Sequence, residues 1–367
     1  MNMHRTSRTG GILVAALLLL TGCEEPVEPE TITLPIREGL PETTVPTPVD
    51  PRFPHYEAAI APQLGNLHIV TERETLQLAQ LWASTLSNGQ ASLQVHALEL
   101  PPEAMVRWWQ AGPTHRVALL KEAMDPEEQA AFETEWGYPP QRIVVAMDPM
   151  VVVVRKGNPL VHRGISLAEL EAIFSHRPRN DHTPIRKWGA FELGTEWSQR
   201  DISAYGQEDG GPLELWFRQQ VLHRSDYQPE TERVPDSEAV VAKVSRTAGG
   251  IGYASLSAFR GPVAPVPVIR ATGETPILPT ADNLFESLYP LSPGPLYLYI
   301  NHRPGVALDA LQRELVRFVY SQTGQHLAAE LGMVPISALH AVSELQRGEI
   351  SLTPEDVLLA TSPSAER

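Results

Sequence analysis

Side chains able to do covalent or metal chemistry are sparse in this chain, and their spacing is wrong for it. His176 and His182 stand in an Arg-rich polar stretch without metal-ligand spacing. Gly249-Gly-Ile-Gly252 matches no dinucleotide fingerprint in spacing or context. No Gly-x-Ser-x-Gly elbow and no His-Glu-x-x-His helix is present. Asp148 lies between two apolar runs, where a capping or inter-strand role fits better than catalysis. These residues imply no enzyme, no catalytic set, no metal and no cofactor. What remains is non-covalent chemistry, in which loops between strands and helices hold a ligand.

The elements that would position such loops can be read from periodicity. Ile143–Met147 and Met150–Val154 are short runs rich in β-branched residues, as buried strands of an α/β sheet are. Asp148-Pro149 separates them, and Gly157-Asn158-Pro159 ends the second. Ser166-Leu-Ala-Glu169 is a capping box that opens a helix, with Leu167, Leu170 and Phe174 on one face. Upstream, Leu67–Val70, Ser92–Ala97 and Arg116–Leu120 read as strands. Helices are expected over Glu74–Trp82, over Pro102–Gln110 with Trp108 and Trp109, and from Pro126, where proline and acids open the first turn. Downstream, a second α/β unit runs from Ile202 to about Tyr253, with helices over Leu213–Leu222 and Ser237–Arg246. Two more helices, Leu308–Tyr320 and Gln325–Leu331, would return to the first unit. The alternation implies two α/β lobes with a cleft between them. The valine run and Leu296–Ile300 would carry the hinge.

Several short motifs, in order, make the middle of the chain resemble PstS-type phosphate ABC-transporter substrate-binding proteins. They are Tyr138-Pro139-Pro140, Val145-Ala146-Met147-Asp148, Val151–Val154, Asn158-Pro159 and Leu170-Glu-Ala-Ile-Phe-Ser175. Trp188-Gly189, Tyr205-Gly206, Gly250-Ile-Gly-Tyr253-Ala-Ser255, Tyr289-Pro290-Leu291-Ser292, Gly324-Gln325 and Gly332-Met-Val-Pro335 follow in the family's order. The resemblance covers roughly residues 66 to 340. It implies a two-lobed periplasmic-binding-protein type II fold, with central mixed sheets flanked by helices. It also implies a small oxyanion, phosphate, as ligand and an ABC permease as partner.

The resemblance also locates the ligand loops, and all three are altered. Family members hold phosphate with helix N-termini, Ser and Thr hydroxyls and an Arg. The first loop falls at Thr71-Glu72-Arg73-Glu74-Thr75, without the family's Gly and Ser. The second falls near Lys121-Glu122, in place of Ser-Arg, and in the third Gln207 replaces an Arg and Gly211-Pro212-Leu213 replaces Ser-Gly-Thr. Candidate ligand-binding residues are therefore Thr71, Arg73, Thr75, Lys121, Gln207, Gly210 and Gly211. Two like charges 4 Å apart repel by about 4 kcal/mol at an effective dielectric of about 20. Each lost hydroxyl bond to an anion costs about 1.5–3 kcal/mol. Glu72, Glu122 and Asp209 in such a cleft predict weak oxyanion binding or none. The alternative is a ligand-free surface interaction or sensor module of the same descent.

The chain begins with Arg5 and Arg8, then the apolar run Ile12–Leu20, which has the order of a secretory signal and is too short to span a bilayer. Leu20-Thr21-Gly22-Cys23 resembles the lipobox of bacterial lipoproteins, and Cys23 is the sole cysteine. The expectation is a lipoprotein signal over 1–23, lipidation at Cys23 and a membrane-anchored protein of the periplasm or cell surface. Glu24, rather than Asp, favours the outer membrane. Residues 24–64 read as a disordered Pro/Glu-rich tether. The expected division is then 65–154 for the first part of lobe 1, 155–256 for lobe 2, 257–345 for the hinge return and the rest of lobe 1, and 346–367 for a C-terminal tail. With 29 basic and 44 acidic residues and no basic stripe, nucleic acid is not an expected partner.

Overall fold

The computed structural model describes residues 48–58, 65–89, 92–101, 104, 107, 116–179, 183–271, 273–350 and 352. All lie in the compact unit Arg37–Arg367. The expected signal with Cys23, residues 24–47 and 59–64 of the expected tether, most of the Pro102–Gln110 helix, and residues 351 and 353–367 of the expected tail fall outside the described residues.

In chain order the strands are β1 (Gly65–Thr71), β2 (Leu93–Glu99), β3 (Arg116–Leu120), β4 (Gln141–Met147), β5 (Met150–Arg155), β6 (Ile165–Ser166) and β7 (Ser203–Gln207). Then come β8 (Glu232–Val234), β9 (Gly250–Ser255), β10 (Val263–Val266), β11 (Val268–Ile269), β12 (Pro295–Ile300) and β13 (Val334–Pro335). They form a six-stranded sheet, β13-β4-β12-β3-β1-β2, a five-stranded sheet, β10-β5-β9-β7-β8, and a small β11-β6 pair. Both large sheets are mixed. In the first, β1 runs parallel to β2 and β3, while β12 runs antiparallel to β3 and β4. In the second, β7 runs parallel to β8 and β9, and β5 antiparallel to β9 and β10.

Each large sheet has its own apolar core. Trp82, on the helix Arg73–Gly89, is fully buried in the first, and its indole N–H donates to Gly324 O at 3.0 Å. A side chain at Gly324 would run into the Phe318 carbonyl, so this close approach requires glycine. The neighbouring Gln325 is also fully buried; its amide donates to Val145 O and accepts from Ile336 N–H, tying β4 to the turn after β13. In the second core Phe217 stacks on Tyr253 with centroids 3.9 Å apart, and Phe174 meets both rings edge-on. Such aromatic pairs contribute about 0.5–1.5 kcal/mol each beyond area burial. Both expected helix starts close as capping boxes, Ser166 with Glu169 and Asp125 with Glu128.

Three expectations are corrected. The valine run does not close the first lobe: β5 pairs with β9 and β10, with Val151–Val154 fully buried in the second core, so the first sheet gives up the chain at Met147 rather than at 154. The second core also keeps β10, β11, the helix Ala281–Phe285 and Leu291, well beyond the expected boundary at 256. The crossing points therefore lie at Asp148-Pro149 and at residues 292–294, not in the strands themselves. The two crossings bond to each other, Asp148 N–H to Gly294 O at 2.6 Å and Met150 N–H to Ser292 O at 3.0 Å. Gly294 has φ +56°, and a Cβ there would strike the Asp148 carbonyl.

The third correction concerns the tether. Residues 48–56 are strapped onto the first lobe: Phe53 is fully buried, and Tyr56 donates to Glu314 at 2.7 Å. Asp50 accepts from Ala338 N–H at 3.0 Å. Val49, Phe53 and Tyr56 supply apolar contacts that a Pro/Glu-rich reading overlooks.

Candidate functional site

Open α/β sheets present ligand loops at the carboxyl ends of their strands. Here the carboxyl ends of β1 and β3 bring Thr71 and Leu120 to one edge, because those strands are parallel and adjacent. Likewise β7, β8 and β9 bring Gln207, Val234 and Ser255 to one edge of the second sheet. The two edges meet at Lys121.

The Lys121 ammonium donates to Asp148 Oδ2 at 2.8 Å and to Ser255 Oγ at 3.1 Å. One side chain of the first lobe thus reaches the crossover and the end of β9. Asp148 is 1 % exposed and holds two further donors, Ser257 N–H at 2.9 Å and Ser257 O–H at 2.8 Å. The network continues into the second lobe: Ser237 Oγ accepts from Ser255 N–H at 3.0 Å and from the Gln207 amide at 2.8 Å. Ser237 opens the helix Ser237–Arg246, which Asp236 caps. Burial pushes the Lys121 ammonium toward the neutral form, but Asp148, with Glu74 and Glu72 behind it, outweighs burial, so its pKa ends above the usual value.

Next to this chain lies a carboxylate. Glu72 Oε1 accepts the backbone N–H of Lys121 at 2.9 Å. Burial raises the Glu72 pKa; the Lys121 N–H and ammonium oppose the rise, while Glu74 and Glu122 reinforce it. Three carboxylates therefore act on one ammonium, Asp148 by direct contact and Glu74 and Glu72 through space.

The residues singled out from sequence have different fates. Lys121 and Gln207 join one network through Ser255 and Ser237. Thr71 and Thr75 are fully buried, and their hydroxyls bond to each other at 2.6 Å. Arg73 turns to the exposed edge, 3.3 Å from Glu99, with its side chain 85 % exposed. Gly210 donates to the Glu214 carboxylate at 3.3 Å, and Gly211 precedes the helix Pro212–Gln220 with no side-chain cap. Asp209, one of the acids expected at the cleft, pairs instead with Arg233 at 2.9 Å.

Sequence reasoning missed Arg233, Ser237, Ser257 and Glu214. Arg233 lies beside Gly206 in the register of β8 on β7, donates to Gln207 O, and sits 3.8 Å over the Tyr227 ring. Glu214 is fully buried, with Arg218 at 3.2 Å and Arg233 at 3.7 Å. The Tyr227 and Tyr253 hydroxyls bond at 2.7 Å, and burial pushes the Tyr253 phenol up to about 12. No spacing in the sequence announces these groups, because β8 and β7 are paired by the sheet and not by proximity along the chain.

Among the described residues, no group of three or more His, Cys, Asp or Glu side chains could hold a metal ion. No helix among them is long and apolar enough to cross a membrane.

The fold and the loop geometry define a substrate-binding protein of two mixed α/β lobes, and comparison with known proteins agrees. The PBP superfamily domain matches residues 57–323. The chain belongs to this family, and within it to the PstS-type substrate-binding proteins. It is 28 % identical over 295 residues to the phosphate-binding protein PstS of Pseudomonas aeruginosa, covering 79 % of this chain and 88 % of that one. A Clostridium perfringens protein solved with bound phosphate superposes with a TM-score of 0.52 at 17 % identity, over 74 % of this chain and 100 % of the other. An ABC-type phosphate transport receptor of Vibrio cholerae gives 0.50 at 16 % identity, over 73 % and 99 %. At those identities the two structures speak for the fold.

Proposed function

We propose that the protein is an extracytoplasmic solute-binding protein of the phosphate-transport kind, taking a small oxyanion between its lobes at the Lys121 edge. Its relatives carry phosphate in their names, which supports the ligand class. The observation that carries the reading is the position of Lys121: an ammonium with only 13 % of its side chain exposed, touching the crossover and the far lobe at once. A cation at that junction would favour the closed arrangement whenever an anion joins it, and binding would select the shut state.

The affinity is expected to be low. Asp148 already neutralises Lys121, and the Thr71 and Thr75 hydroxyls are spent on each other. Calorimetric titration with phosphate, sulfate, arsenate and vanadate tests this. Saturable binding that Lys121→Met abolishes supports the oxyanion site; silence across the panel removes it. That silence would select a second reading, a ligand-free interaction module, which the internally neutralised ammonium favours. Delivery to an ABC permease and anchoring through a lipid on Cys23 complete the proposal. Fatty-acid labelling that Cys23→Ala abolishes would support the anchor.

A further inference from the structure

Glu72 is placed oddly for a surface acid in a protein that receives anions. Its carboxylate faces inward and occupies the Lys121 N–H, the first backbone donor of the loop after β3. That loop and the Thr71–Thr75 turn meet at this bond, so an anion approaching from the cleft finds the donor already taken by a negative charge. The charged groups facing Glu72 are Glu74 in the first turn of the helix that follows it, Lys121 and Glu122 on the loop after β3, and, through Lys121, Asp148 on the crossover.

We propose that Glu72 is a built-in competitor of the ligand, so that the cleft captures an oxyanion only as Glu72 takes up a proton and leaves or shares the Lys121 N–H. This deepens the oxyanion reading and rests on it. An ionised carboxylate is an acceptor only; a protonated one also carries an O–H donor. One proton therefore turns Glu72 from a rival charge into a hydrogen-bond donor toward the bound anion. The atoms balance simply: the carboxylate gains a proton from solvent, and the anion enters with its charge partly matched. Burial, Glu74 and Glu122 all favour that protonated form, whereas the Lys121 N–H and ammonium hold the ionised one in place.

The test is calorimetry on the full mature chain with sulfate, which stays dianionic from pH 5 to 8, for wild type, Glu72→Gln and Glu122→Gln. Thermal melts confirm that each variant folds. The Gln variant keeps the acceptor on the Lys121 N–H and loses only the charge. Near pH 7.5 it should bind sulfate about tenfold tighter than wild type, as removal of one nearby like charge implies, and the ratio should fall steadily as the pH is lowered and Glu72 takes up its proton. Glu122→Gln should change affinity much less. Titration in buffers of different ionisation enthalpy should show proton uptake for wild type and none for Glu72→Gln. Binding that is equal in wild type and Glu72→Gln at every pH, or that takes up no proton, overturns the competitor role and leaves the oxyanion site standing. Absence of sulfate and phosphate binding in every variant at every pH overturns both.

Discussion

The two lobes each carry a cation near the carboxyl-end edge of a sheet, and they house it differently. Lys121, from the first lobe, touches a single carboxylate, Asp148, which is almost sealed from water. Arg233, from the second, spreads its guanidinium over Asp209, Glu214, the Gln207 carbonyl and the face of Tyr227. A compact ammonium satisfies few partners at short range, while a planar guanidinium with five donors serves several. Charge balance on the first-lobe side is therefore concentrated in one pair, and on the second-lobe side it is distributed. The concentrated arrangement is the more fragile and the more easily switched.

The largest expected effect breaks the concentrated side. Lys121→Met leaves Asp148 charged and buried, and should cost about 3–5 kcal/mol in urea unfolding. Lys121→Met combined with Asp148→Asn should recover most of that loss; no recovery would show that Lys121 matters through packing and not charge. On the distributed side, Arg233→Met leaves Glu214 with Arg218 and should cost less, about 1–3 kcal/mol. If the two single substitutions cost the same, the contrast between the lobes fails.

A pH series sharpens the picture further. The folded pKa of Glu72 is raised, so its contribution to stability is fully present below the unfolded carboxyl value and is lost as pH rises through the folded one. Glu72→Gln should match wild type in acid and become the more stable protein as pH climbs toward neutrality. A gap that does not depend on pH would contradict the buried-charge account. The smallest effect belongs to Arg73→Ala. Its pair with Glu99 is screened by solvent, so the change should stay under about 0.5 kcal/mol and leave anion titrations unaltered.

Much of the scaffold was legible along the chain. The Ser166 capping box, the helix start at Pro126, the β-branched runs and the Leu296–Ile300 strand stand where the local sequence placed them, because each depends on neighbours within a few residues. The helix Arg73–Gly89 runs beyond the expected Trp82, since Ala83 and Leu86 continue the buried face after the first strong apolar group. The division into lobes was misplaced at the valine run. A fully apolar strand fits either sheet, and only its pairing with β9 and β10 chooses one. The strap over residues 48–56 was hidden by composition, since three apolar side chains among prolines carry no period.

The candidate site was legible by position and not by partner. Lys121 and Gln207 were picked out as replacements in known loops, yet nothing in the sequence joins Lys121 to Ser255, 134 residues away, or Gln207 to Ser237. Arg73 shows the converse: a cation in the right loop whose side chain points to another strand edge.

The order of strands, caps and turns, and the descent it signals, came from the sequence alone, because those features are set by local sterics and by the alternation of apolar and polar residues. Which charges neutralise each other was decided only when the parallel strands of both sheets delivered their carboxyl ends to one junction. There burial removes water as a competing partner, and distance in space, rather than separation in sequence, determines which acid Lys121 meets.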